Sequence, residues 1–332
     1  MKKHLGNIAR ILITVGIFYY LFKYKIDEQK VVEVLSSANW AWIVVAVGLF
    51  WFTFWFGLIR WQMLLRTQGV ELPFRRVLAI GFVGHFFNSF LLGATGGDVI
   101  KAYYAARQTQ THKAEAVMSV FVDRVVGLFG LLVIAAVMMG CNFRWLWTQP
   151  NLRLPALFVL SVIASGCLFI WLTTGPLHGH MRNRLARWPS IVKAADSYRS
   201  YKNHGRVLGI GLLLSIGVHV SLIIGVICLA RGMGVTGVSW DKFFVVVPVI
   251  NTIASIPITV AGLGLREDLY VRLFASLGPS PEQAIAISLL SYGVQLFWSL
   301  IGGLVYMLWK HEPHMLAHAK EGLAKVEGAT GS

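Results

Sequence analysis

The chain has 332 residues, of which 56% are hydrophobic and 14% charged, with a mean hydropathy of +0.64. A water-facing surface carries roughly a quarter charged residues, so this composition excludes a large soluble core with polar helix faces. The formal net charge of +15 would suggest nucleic acid in a soluble protein, but no groove-reading or RNA-binding motif accompanies it. Among apolar helices the same excess marks cytoplasmic loops and anionic headgroups.

In chain order, the apolar runs predict spanning helices at about 8–22, 41–65, 114–140, 154–174, 207–231 and 284–309. Lys2, Lys3 and Arg10 precede the first run, which could imitate a signal peptide. Lys23, Tyr24 and Lys25 follow it where a small-residue cleavage site would stand, so it reads as an uncleaved span. The expected architecture is an all-α, polytopic membrane bundle of about six spanning helices. Residues 1–310 form one integral membrane domain, and 311–332 a cytoplasmic tail.

Two further apolar stretches, 77–92 and 243–258, are too short to cross. Each runs into a glycine-rich break and a more polar segment, as re-entrant hairpins do. Basic residues test this count by the positive-inside rule. The N-terminus, loop 66–76 with Arg66, Arg75 and Arg76, and the basic segment 176–206 share one side only if 77–108 enters and returns. Both termini are then cytoplasmic, and the hairpins 77–108 and 243–279 enter from opposite faces. That arrangement is the mark of an inverted repeat, with half-repeats at about 41–140 and 207–309.

The candidate site residues lie in and beside these breaks. The first reads Gly93-Ala94-Thr95-Gly96-Gly97-Asp98, the second Ala261-Gly262-Leu263-Gly264-Leu265-Arg266-Glu267. Glycine there permits a sharp turn and leaves backbone amides uncovered, and a helix N-terminus offers those amides to phosphate. Asp98 and Glu267 also suit plain capping of the same amides. Lys101 and Tyr104 fall on one helix face, where a cation and a phenol can hold a headgroup.

Asp123 and Arg124 sit about two turns inside the third span, a depth at which ionisable groups face the protein interior or a wet cavity. Neighbours in sequence point apart, so each requires another partner, with Lys101 or Arg266 the candidates for Asp123. In the second hairpin, Pro257 breaks the apolar helix and frees carbonyls beside Asn251. Arg266 is the foremost phosphate ligand, through its forked guanidinium, with a surface salt bridge to Glu267 or Asp268 as its structural alternative. Asn88, His85, His219 and Gln295 read first as helix-packing polar residues, Asn88 also standing near the first break. The three cysteines, Cys141, Cys167 and Cys228, are widely spaced and imply neither disulfide nor zinc. No nucleotide loop, strained Ser nucleophile, metal motif or cofactor motif is present, so no cofactor is expected.

The ordered set Asn88, Gly96-Gly97-Asp98, Lys101-Ala102-Tyr103, then Asp123-Arg124, then Pro257, Gly262-Leu263-Gly264 and Arg266-Glu267 resembles a known family. It is similar to the lysylphosphatidylglycerol synthase transmembrane region, also called the flippase-like domain family, over roughly 5–310. This chain lacks a proline usual near the first loop and has Asp123 where Glu is common. The larger synthases continue into a soluble aminoacyl-transfer domain, which is not expected here.

The resemblance implies a lipid-translocating or lipid-holding protein of the bacterial cytoplasmic membrane, acting without direct ATP coupling. Its implied partners are a membrane phospholipid or a polyprenyl, hopanoid or glycolipid, with no nucleic acid. Two other readings stay open: an intramembrane lipid-modifying transferase, and a non-catalytic scaffold for a lipid- or envelope-synthesis enzyme. The expected site is one cleft in which both hairpins meet, lined by Asn88, Gly96, Gly97, Asp98, Lys101, Tyr104, Asp123, Arg124, Asn251, Pro257, Gly262, Gly264, Arg266 and Glu267.

Overall fold

A computed structural model describes residues 2–90, 96–174, 204–256, 258–259 and 262–308. Segment 175–203, the tail from 309, residues 91–95, and Pro257, Val260 and Ala261 lie outside the described residues. The expectations for Gly93-Ala94-Thr95, Pro257, most of the basic segment and the tail fall there.

The protein is an all-α membrane bundle with no strand among the described residues. After α1 (Lys2–Tyr24) and α2 (Glu28–Ser36) come α3 (Trp40–Thr67), α4 (Phe74–Phe90), α5 (Gly96–Arg107) and α6 (Lys113–Cys141). They are followed by α7 (Phe143–Thr148), α8 (Pro150–Thr174), α9 (Gly205–Gly232), α10 (Trp240–Ala254), α11 (Leu265–Phe274) and α12 (Pro281–Leu308). Five helices, α3, α6, α8, α9 and α12, are long and apolar enough to cross a membrane, and α1 adds a shorter apolar stretch at Leu12–Tyr24. Their ends are written locally. Asn39 accepts from the Ala41 amide at 3.1 Å to start α3. Ser280 and Gln283 exchange bonds of 3.0 and 3.2 Å ahead of α12, a capping box with Pro281 at the first helical position.

The two short segments are helical hairpins, as the sequence predicts. α4 has 17 residues and α10 has 15, about 25 and 22 Å long at 1.5 Å per residue, short of the roughly 30 Å hydrocarbon core. Each turns back into a second short helix, α5 or α11, that packs against it. In the first hairpin the arms touch backbone to backbone: a Cβ on Gly97 would overlap the Gly84 carbonyl and Asn88. In the second, Gly262 and Gly264 adopt φ of +77° and +82°, left-handed values that only glycine takes without strain.

The long helices α3 and α9 pack antiparallel. Gly232 lies against Trp42, Gly225 against Phe50, Gly217 against Phe56 and Gly211 against Met63. Small residues of this kind let membrane helices approach closely in the absence of a hydrophobic drive between them. Because α4 follows α3 and α10 follows α9, this packing sends the two hairpins into the bundle from opposite ends.

The order of elements occurs twice. Long helix, short helix, short helix and long helix run 28, 17, 12 and 29 residues in α3–α6. In α9–α12 they run 28, 15, 10 and 28. Contacts are reciprocal as well. Arg60, twenty-first from Trp40, bonds Ser215, eleventh from Gly205; Gly225, twenty-first of α9, meets Phe50, eleventh of α3. The hairpins swap partners too, α4 packing on α12 and α10 on α6. Gly302 and Gly303 seat α12 directly on Phe82 and Phe86 of α4.

Candidate functional site

The first hairpin and the helices around it line a half-open cavity of about 300 Å³. Its charged wall comes from three helices. Arg60 enters from α3, Asp98 and Lys101 from the opening turns of α5, and Asp123 and Arg124 from α6. Asn88 and His85 of α4 and Gln295 of α12 add neutral polar groups, while Phe50, Phe54, Leu58, Leu222 and Trp298 supply an apolar wall.

Asp123 is the hub. Arg60 Nε donates to its Oδ1 at 2.7 Å and Lys101 Nζ lies 3.2 Å from its Oδ2. Arg60 Nη1 donates to Ser215 Oγ at 2.7 Å, which carries the network across to α9. The Lys101 ammonium also rests 4.0 Å from the centroid of the Trp61 ring, whose indole N–H donates to Ser119 at 3.1 Å. A desolvated cation gains from an aromatic face in this way. Arg124 turns away from Asp123 and holds Asp98 with two contacts of 2.7 Å.

Burial makes the charge count decisive. The side chains of Arg60 and Asp123 are each 9% exposed, Lys101 13% and Asp98 15%, while Arg124 is 56% exposed at the edge. Three cations face two carboxylates among the described residues of this wall, so the cluster carries one positive charge in excess. The four buried side chains balance, two cations against two carboxylates, so the excess stands with Arg124 at the exposed edge.

The second hairpin ends differently. Arg266 and Glu267 are buried and bonded to each other at 2.6 Å. The Glu267 carboxylate also accepts from the Gly264 amide at 2.6 Å and the Ser288 hydroxyl at 3.1 Å. The Arg266 guanidinium lies 4.8 Å from the centroid of the Tyr292 ring. This pair is neutral as a whole.

The structure brings together Asn88, Gly97, Asp98, Lys101, Asp123 and Arg124, with Gly96 opening α5. It does not unite them with Arg266 and Glu267, so the expected single cleft is two clusters. The reason is local: Arg266 finds its carboxylate at the next residue, and α11 packs on α10, α12 and α1. Of the two partners considered for Asp123, Lys101 fills the role and Arg266 does not. The Arg266 salt bridge to Glu267 exists, buried and not at the surface.

Tyr104 is 5% exposed and packs with Leu65, Val77 and Ala105 in an apolar cluster, away from the cavity wall. Asn251, Gly262 and Gly264 belong to the second hairpin and likewise do not line the cavity. Glu267 caps the Gly264 amide and pairs with Arg266 as well, whereas Asp98 serves Arg124. Asn88 does both kinds of work, accepting from the Gly97 amide at 2.9 Å while lining the cavity. His219 packs as expected, its Nε2 3.0 Å from the Gly127 carbonyl.

Arg60 and Ser215 were not singled out from the sequence. The signal for Arg60 was there: an arginine about two turns inside an apolar span, subject to the same depth rule as Asp123. His85 and Gln295, read as packing residues, line the cavity.

Residues 7–303 match the family model described as the lysylphosphatidylglycerol synthase TM region. Two archaeal relatives are UPF0104 membrane proteins. One, from Pyrococcus horikoshii, is 23% identical over 135 residues, 40% of this chain and 39% of the relative. The other, from Methanocaldococcus jannaschii, is 23% identical over 151 residues, 44% of this chain and 45% of the relative. The chain thus spans less than half the length of either relative.

Proposed function

The chain belongs to the lysylphosphatidylglycerol synthase transmembrane-region family, and from that premise we propose that its cavity receives the phosphate of an anionic membrane lipid. The protein then moves or holds that lipid within the bilayer. The observation that carries this reading is the excess positive charge of Arg60, Lys101 and Arg124 over Asp98 and Asp123 around the cavity, with Arg124 at its exposed edge. An anionic group supplies the missing charge, and Arg and Lys are the side chains that bind phosphate oxygens best. The apolar wall of Phe50, Phe54, Leu222 and Trp298 gives the attached tail a matching surface.

Against an intramembrane transferase stands the pairing of both carboxylates. Asp98 is held by a guanidinium and Asp123 by a guanidinium and an ammonium, so neither is free to serve as a base. A scaffold role gives no account of why charge is left uncompensated around a void.

The cytoplasmic membrane, with both termini inside, is the setting that fits. Arg66, Arg75, Arg76, Arg107 and Lys113 flank the end of the bundle where the first hairpin enters, as positive-inside loops do. The parallel order of α3–α6 and α9–α12 supports descent from a duplicated unit inserted in two orientations.

The test is movement of a fluorescent phosphatidylglycerol across proteoliposomes that contain the native chain, Lys101→Ala or Arg60→Ala. Protein-dependent movement that falls at least tenfold in both variants supports the reading. Movement equal to the native rate in both would sink it.

A further inference from the structure

We propose that Arg266, Ser288, Tyr292 and the Gly264 amide form a second anion site, occupied in this conformation by the chain's own Glu267 carboxylate. The proposal deepens the lipid-phosphate reading, because it supplies a second station for the same headgroup chemistry.

Three donors of different kinds converge on one carboxylate: a guanidinium at 2.6 Å, a backbone amide at 2.6 Å and a hydroxyl at 3.1 Å. The carboxylate is fully buried, with 0% exposure. Guanidinium, helix-start amide and hydroxyl together are a donor set that suits a phosphate as well as a carboxylate. Tyr292 holds the guanidinium from its face, 4.8 Å from the ring centroid, so the fork keeps its aim if Glu267 leaves. Thr259, in the break that precedes this helix, is 3% exposed and its hydroxyl has no hydrogen-bond partner.

Position counting gives the second, independent argument. Glu267 is third in α11 as Asp98 is third in α5. Tyr292 is twelfth in α12 as Arg124 is twelfth in α6. The cluster therefore stands where the cavity cluster stands in the other half. There the carboxylate is drawn off by Arg124 and a void remains. Here the carboxylate folds back and fills the place. The two stations are linked through α12, on which Tyr292 touches one cluster and Gln295, a turn later, lines the other.

The experiment counts phosphatidic acid molecules retained by the full chain in neutral detergent, by native mass spectrometry. Glu267→Gln removes the negative charge that holds Arg266 and leaves an uncharged amide that an anion can displace from the Gly264 amide. Retention is expected to rise from one molecule in the native chain to two in Glu267→Gln. It should return to one in Glu267→Gln with Arg266→Gln. A count that stays at the native value in Glu267→Gln, with no stabilisation by inorganic phosphate either, overturns the proposal, as does a second molecule that persists in the double variant.

If Glu267→Gln folds only with phosphate or phosphatidic acid in the buffer, that rescue supports the site; failure of both to rescue it counts against. A parallel arm with inorganic phosphate identifies the source: stabilisation by phosphate without lipid retention assigns a free anion and not a headgroup. Lys101→Ala separates the two readings. Loss of the first molecule alone reports on the cavity, and gain of the second on this site. A native chain that retains none, with one gained in Glu267→Gln, would sink the cavity reading and leave this one standing.

Discussion

The two hairpins meet the same physical demand by opposite means. Each is a broken helix inside an apolar bundle, and each must satisfy the amides and charges that the break exposes. The second does so within itself, Glu267 answering Arg266, Gly264 and Ser288 at once. The first distributes the task over α3, α5 and α6 and remains one anion short. A self-satisfied break is closed in this conformation, whereas, on the reading proposed above, an unsatisfied one beside a cavity is open to a ligand. Polar residues alone do not tell the two apart; their charge sum does.

Four measurements break or sharpen that contrast. Asp123→Ala strands Arg60 and Lys101 together, and removing one partner of a buried ion pair costs about 3–5 kcal/mol. A thermal melt in detergent should show the largest fall of the series, and anionic lipid should restore part of it.

Next come the glycines, which serve different ends in the two hairpins. Gly97→Ala forces a methyl into the Gly84 carbonyl, an overpacking cost of about 1–3 kcal/mol. Gly262→Ala places a side chain at φ +77°, where an L-residue loses about 1–2 kcal/mol. Asparagine tolerates that conformation better than alanine, so Gly262→Asn should melt above Gly262→Ala, while Gly97→Asn should melt below Gly97→Ala. The same order at both positions would show that the hairpins share one constraint.

Lys101→Ala should leave the fold in place, because Arg60 still pairs with Asp123 at 2.7 Å. It should weaken retention of anionic lipid at least tenfold, about 1.4 kcal/mol. Equal loss of stability and binding would mean that Lys101 is structural. The smallest effect belongs to the partly exposed pair Asp268–Arg272, one turn apart on α11. Asp268→Asn should lower stability by no more than about 0.5 kcal/mol.

Much of this architecture was legible in the sequence. Span length, the positive-inside count and the two glycine breaks were enough to place helices, hairpins and their opposite entry. Apolar runs and loop charges are local in the chain, so they can be read one segment at a time. The same depth rule that marked Asp123 and Arg124 would have marked Arg60, had it been applied to the second span. What the sequence could not give was which charges meet. Lys101 and Arg266 looked equally suited to Asp123, and the choice rests on where α5 and α11 pack. Ser215 carried no signal, because a serine in an apolar helix bonds its own backbone as readily as a distant arginine; here it does both.

The bare backbone contact between Gly84 and Gly97 has a mechanical consequence. With no side chain between them, the arms of the first hairpin have nothing soft to compress, and the Asn88 bond to the Gly97 amide pins the crossing. The hairpin is therefore a stiff lever. A displacement of Asp98 carries α4 with it, and α4 bears directly on Gly302 and Gly303 of α12. On the reading proposed above, an anion bound beside Asp98 would act through these hard contacts on α12, the helix that also carries Ser288 and Tyr292 of the other cluster.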